Sequence, residues 1–88
     1  MGIAFKKYKR IFRRNLQPVF ALLVSRRRTM DKAAWTSLVE ETLQHVVENP
    51  VEYVGSDLPH HQLFIDVIDE IRLDFLKESY ALLDVPGH

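Results

Sequence analysis

From His60 to Val85 the chain contains neither proline nor glycine, and its apolar residues return every three or four positions. That spacing predicts one long helix, capped by Ser56 or Asp57, with Pro59 in its first turn and its end near Leu83. On a 3.6-residue wheel Phe64, Val67, Ile68, Ile71, Phe75 and Leu82 form one apolar arc, while Ile65, Leu73, Leu76, Tyr80 and Leu83 form a second, roughly opposite. A helix that is apolar on two sides has to be covered on two sides. It is therefore expected at the centre of a helical bundle, or as half of a dimer seam.

Three further helical segments fill most of the remaining chain. Over residues 3–15, Ala4, Phe5, Tyr8, Ile11, Phe12 and Leu16 share one arc and a purely basic set takes the other, which predicts an amphipathic helix. Pro18 suits the first turn of a second helix, and Phe20, Leu22, Leu23 and Val24 make it apolar on nearly every side, the mark of a short buried element. Thr29 or Asp31 caps a third, in which Trp35, Leu38, Val39, Thr42, Leu43 and Val46 recur at helical spacing. It is expected to stop at Asn49, because Pro50 disfavours helical geometry in the residue before it. Residues 51–56 then read as a connection, briefly extended, and Pro86-Gly87 as the end of the ordered chain.

The predicted fold is all-α: a compact bundle of three to four helices in a single domain spanning residues 1–88, with the long C-terminal helix central. Trp35, Leu38, Val46, Phe64, Ile68, Ile71 and Phe75 are its expected core. At 88 residues the chain has room for one modest core and no second, catalytic domain. It has no cysteine, so disulfides and thiolate metal sites are excluded and packing alone must hold it together. A small secreted domain without any staple would be atypical, and the expected setting is intracellular, cytoplasmic. The first thirty residues, rich in arginine and free of acids, also overlap with the pattern of a mitochondrial presequence, although they are poor in serine. The longest apolar run, residues 18–24, is far below the ~20 residues that cross a bilayer, and Lys6 stands where myristoylation wants Ser or Thr.

The formal net charge is zero, but it averages two opposite halves. Residues 1–32 carry ten lysines and arginines against Asp31, a net +9; residues 33–88 carry eleven acids against Arg72 and Lys77, a net −9. In the basic half Lys6, Lys7, Lys9, Arg10, Arg13 and Arg14 form the polar arc of the first helix, and Arg26, Arg27 and Arg28 follow the second, where cations favour the helix dipole. In the acidic half Asp66, Glu70, Asp74 and Glu78 recur every four residues as a ridge along the last helix. Burying the aromatic stripe of the first helix turns most of its cations outward. Only flanking residues such as Lys7, Arg13 or Arg14 are then placed to bend toward the ridge.

No catalytic residues, metal ligands or cofactor site emerge from the pattern, and no small-molecule substrate is expected. His60 and His61 point about 100° apart on a helix and do not chelate one ion by themselves. Neighbouring acids such as Glu40-Glu41 and Asp69-Glu70 diverge in the same way. There is no HExxH, P-loop or GxSxG stretch, and Gly2, Gly55 and Gly87 are too dispersed to cradle a phosphate. The expected function is that of a non-enzymatic protein-interaction module, a small regulator, adaptor or complex subunit, using the basic face and the acidic ridge as contact surfaces. Its partner is expected to be another protein or a second copy of itself. The alternative is a nucleic-acid binder that holds phosphates with the same basic residues. Against it stand the acidic half, which repels a polyanion, and Asp31 and Lys32, which fall where a helix-turn-helix wants an apolar residue. A membrane surface is the least favoured partner, because an aromatic stripe at helical spacing is more often core than anchor.

Overall fold

The computed structural model describes residues 2–83, and for Leu82 and Leu83 the backbone alone. Five α-helices follow one another: α1 (Ile3–Asn15), α2 (Gln17–Arg26), α3 (Lys32–Glu48), α4 (Pro50–Val54) and α5 (His61–Leu83), with a 3-10 turn over Arg27–Thr29. The fold is all-α, with one helix more than the sequence pattern predicts. The side chains of Leu82 and Leu83, and Pro86-Gly87, lie outside the described residues.

Helices α1 and α2 meet at a bend on Leu16 (φ −88°, ψ 1°) rather than at a loop. Pro18 has no N–H to give to the carbonyl four residues back, and its ring crowds that carbonyl, so the helix must turn there. The bend is otherwise continuous: Leu16 N–H donates to Phe12 C=O and Phe20 N–H to Leu16 C=O, both at 2.9 Å. Leu16 itself is fully buried.

The structure corrects the expectation that α2 is a buried element. Only Phe20 and Leu23 are buried, with Val19 half-buried against the core, while Leu22 is 68% and Val24 41% exposed. A domain this small has too little interior to surround a fourth long helix, so α2 lies on the outside with part of its apolar surface uncovered. Its C-terminal turn tightens, with Arg27 N–H donating to Val24 C=O. The buried Trp35 indole Nε1 donates to the Leu23 carbonyl at 2.8 Å and ties α2 to α3.

Asp31, one of the two expected caps, starts α3: its Oδ1 accepts from Ala34 N–H at 2.8 Å. Trp35, Val39, Leu43 and Val46 are its buried face. The helix stops before Pro50 as predicted, but Pro50 then opens α4 where an extended connection was expected. Proline's fixed φ serves the first position of a helix as well as it ends the preceding one. Gly55 closes α4 at φ +87°, a value that only glycine adopts without strain.

The expected Ser56 or Asp57 cap of α5 is also corrected. Those residues and Pro59 precede the helix, and His60 caps it, with Nδ1 accepting from Leu63 N–H at 3.2 Å and its carbonyl accepting from Phe64 N–H at 3.0 Å. Helix α5 is the central helix, packed between α1 on one flank and α3 on the other. Phe64, Val67, Ile68 and Ile71 are buried along its first arc. Of the second arc Leu76 is buried and Tyr80 half-buried against Trp35, whereas Leu73 faces solvent. Aromatic contacts tie the layers together: Phe12 meets Phe64 edge-on at 5.3 Å, and Phe20 stacks on Phe75 at 4.4 Å. Among the expected core residues, Leu38 and Phe75 are half-buried at its margin.

Candidate interaction surface

Phe5, Tyr8, Ile11 and Phe12 turn the apolar arc of α1 onto the body of the protein, with Phe12 fully buried. Lys9 follows Phe12's neighbours around the helix, only about 60° from Phe12 itself at 100° per residue. It therefore lands at the seam with α5 instead of on the outer face. Its ammonium donates to Glu70 Oε1 at 3.0 Å and pairs with Asp74 Oδ2 at 2.7 Å, and the side chain is 22% exposed. These hydrogen bonds, to Asp74 first and Glu70 second, hold the Lys9 ammonium above the ordinary lysine range, with partial burial pulling the other way.

Arg13, one helical turn on, reaches Glu78 at 3.6 Å; both groups are largely in solvent. The ridge of Asp66, Glu70, Asp74 and Glu78 thus runs along the seam with α1, half-buried at Glu70 and Asp74 and exposed at Asp66 and Glu78. Glu70, Asp74 and Glu78 face α1 cations, and Asp66 accepts from the Gln62 amide at 2.9 Å within its own helix. Lys9, Glu70 and Asp74 are thus engaged with one another within the chain, while Asp66 and Glu78 remain exposed. Sequence spacing places Arg13 within reach of the ridge but gives no sign of Lys9.

The remaining basic residues are turned away from the acids. Lys6, Lys7, Arg10 and Arg14 are exposed on α1, as are Arg26 and Arg28 after α2, and Arg27 is half-buried. None of the seven has a carboxylate partner among the described residues; Lys7 stands 5.6 Å from the Tyr8 ring centre, and the buried Arg27 Nε has no hydrogen-bond partner. In the acidic half Arg72 lies 3.8 Å from both Glu40 and Asp69, loosely joining α5 to α3.

Two concavities open beside the α1 cations, and the sequence gives no signal for either. One, of about 430 Å³, is lined by Lys6, Lys9, Arg10 and Arg13. The other, of about 400 Å³, lies between α2 and α5, floored by Phe20, Ile71 and Phe75 and edged by Arg13, Gln17, Ala21, Val24 and Glu78. Arg13 belongs to both. Two of the histidines take structural roles: His60 caps α5, and His45 Nδ1 meets Tyr53 OH at 2.7 Å across α3 and α4. Among the described residues no three His, Asp or Glu side chains gather as metal ligands, and no helix is long and apolar enough to cross a membrane. No family model matches the chain, and neither a curated protein nor a solved structure matches it significantly.

Proposed function

We propose that the chain is a non-enzymatic protein-interaction module, a small regulator, adaptor or complex subunit, which meets an acidic protein partner through the outer face of α1. The observation that carries this reading is a division of labour within one helix. Lys9 is taken up by α5 and fastens the helix there, Arg13 pairs only loosely with Glu78, and Lys6, Lys7, Arg10 and Arg14 stand exposed without carboxylate partners among the described residues. A rigid helix presenting four cations steers an acidic surface toward itself and sets partner choice and association rate more than final affinity. The arginines at 26–28 extend the same potential. Of the α5 acids, Glu70 and Asp74 are already paired with Lys9.

Pull-down from lysate with the wild-type chain and with a Lys6→Glu, Arg10→Glu, Arg14→Glu variant tests the reading: a defined protein captured by the first and lost by the second is expected. Recovery of nothing but the chain itself reduces the claim to self-association. Binding to generic DNA or RNA overturns it if that binding falls linearly on a log-salt scale and disappears when Arg10, Arg13 and Arg14 become Gln.

A further inference from the structure

The two concavities beside α1 adjoin at Arg13, which lines both. At one end are cations. At the other is an apolar floor, where the stacked rings of Phe20 and Phe75 lie beside Ile71 and the exposed Val24 forms a wall. Resting on the reading above, we propose that the partner presents an acidic amphipathic helix, its carboxylates on Lys6, Arg10 and Arg13 and an apolar anchor side chain seated between α2 and α5.

The spacing of the cations selects a helix. Lys6, Arg10 and Arg13 follow one another at four and three residues, so their Cβ atoms are about 5–6 Å apart, the same interval at which acids one turn apart stand on a partner helix. The groove, at about 400 Å³, lies within the ~300–1,000 Å³ typical of concave binding sites. Its rim is ready for exchange. Arg13 is held to Glu78 at only 3.6 Å with both groups solvated, so a partner carboxylate replaces Glu78 at little cost. The Gln17 amide at the same rim has no hydrogen bond and is available to partner backbone.

Charge also selects against the other occupants. Alpha2 has Arg13 and Arg14 before it and Arg26, Arg27 and Arg28 at its end, so a second copy that lays its own α2 along it, in either direction, sets arginine against arginine. A nucleic-acid backbone gains nothing from the apolar floor and meets Glu78 at its rim.

Fluorescence anisotropy with two labelled peptides tests the proposal on the full chain. Both carry glutamates one helical turn apart on an alanine background; the anchored peptide has a phenylalanine one turn beyond the last glutamate, the plain peptide an alanine. The anchored peptide is expected to bind about tenfold tighter, as burial of one aromatic side chain allows. In a Val24→Asn, Ala21→Ser variant, whose changes are at exposed positions and whose folding circular dichroism verifies, the ratio of the two affinities falls toward one. Equal binding of the two peptides, or a ratio the variant leaves intact, overturns the groove proposal while the basic-face reading stands. Failure of both peptides to bind at low salt overturns both. If gel filtration finds a dimer that the Val24→Asn, Ala21→Ser variant breaks, the groove is a self-interface and the proposal is also overturned.

Discussion

The Lys9 ammonium lies 2.7 Å from the Asp74 carboxylate and 3.0 Å from that of Glu70, and so fastens the first helix of the chain to the last. Replacing it leaves two carboxylates one turn apart with no cation between them. Lys9→Met is expected to lower stability by ~1 kcal/mol at pH 7, the scale of a partly solvated ion-pair network. Because the folded chain holds Lys9 above the ordinary value of 10.5, the contribution is complete below that value and is lost as pH rises through the raised one. Urea denaturation at pH 7, 9 and 11 checks both points: the gap between wild type and variant should persist to pH 9 and narrow at pH 11. An unchanged gap at pH 11 removes Lys9 ionisation as its source.

The bond from Trp35 Nε1 to the Leu23 carbonyl has no substitute within α2, since Arg27 N–H has turned to Val24 C=O. Trp35→Phe strands that buried carbonyl and leaves a void where the larger ring was. The expected loss is ~2–4 kcal/mol, from an unpaired acceptor and a partly empty site together. Thermal melts followed by circular dichroism measure it, and a loss below ~1 kcal/mol would mean that the bond does not hold α2 to α3.

The two leucines of α2 differ only by one position and should behave in opposite ways. Leu22 is 68% exposed and Leu23 4%. Leu22→Gln is expected to change stability by less than ~0.5 kcal/mol, as surface substitutions do, whereas Leu23→Ala should cost ~2–5 kcal/mol. Chemical denaturation of both variants is sufficient. Comparable losses would put Leu22 in an interface or a core that this arrangement does not contain.

That contrast also marks where sequence reasoning ran out. Helices α1 and α3 were legible because local chemistry agrees with the apolar period: Asp31 caps, Pro50 stops, and the cations of α1 oppose its aromatic stripe. The central place of α5 was legible because two apolar arcs demand two neighbours. Helix α2 was misread, since an apolar sequence records how much surface a helix would gain by burial and not whether a small domain has interior to offer it. Pro50 signals both a stop and a start, and the five-residue helix it opens is too short to show an apolar period. Lys9 stands on the border between the two arcs of α1, and periodicity does not say on which flank the acidic helix lies. The groove over Phe20 and Phe75 joins residues 55 positions apart and has no local signature at all.

Arg13 and Glu78 offer the sharpest separation of stability from recognition. Their 3.6 Å pair is exposed at both ends, so Glu78→Gln should alter stability by no more than ~0.5 kcal/mol. The same change releases Arg13 and removes one negative charge from the rim shared by the two concavities. Affinity for the plain glutamate peptide should therefore rise about two- to threefold at low salt, with a steeper dependence on ionic strength. Asp74→Asn is the counterpart. It removes a neighbouring negative charge as well, but it takes away the closer partner of Lys9, and it is expected to cost ~1 kcal/mol of stability. Anisotropy and denaturation on both variants give four numbers. If Glu78→Gln weakens peptide binding, or leaves it unchanged across salt, Arg13 is not a contact for the partner's acids, which are left with Lys6 and Arg10.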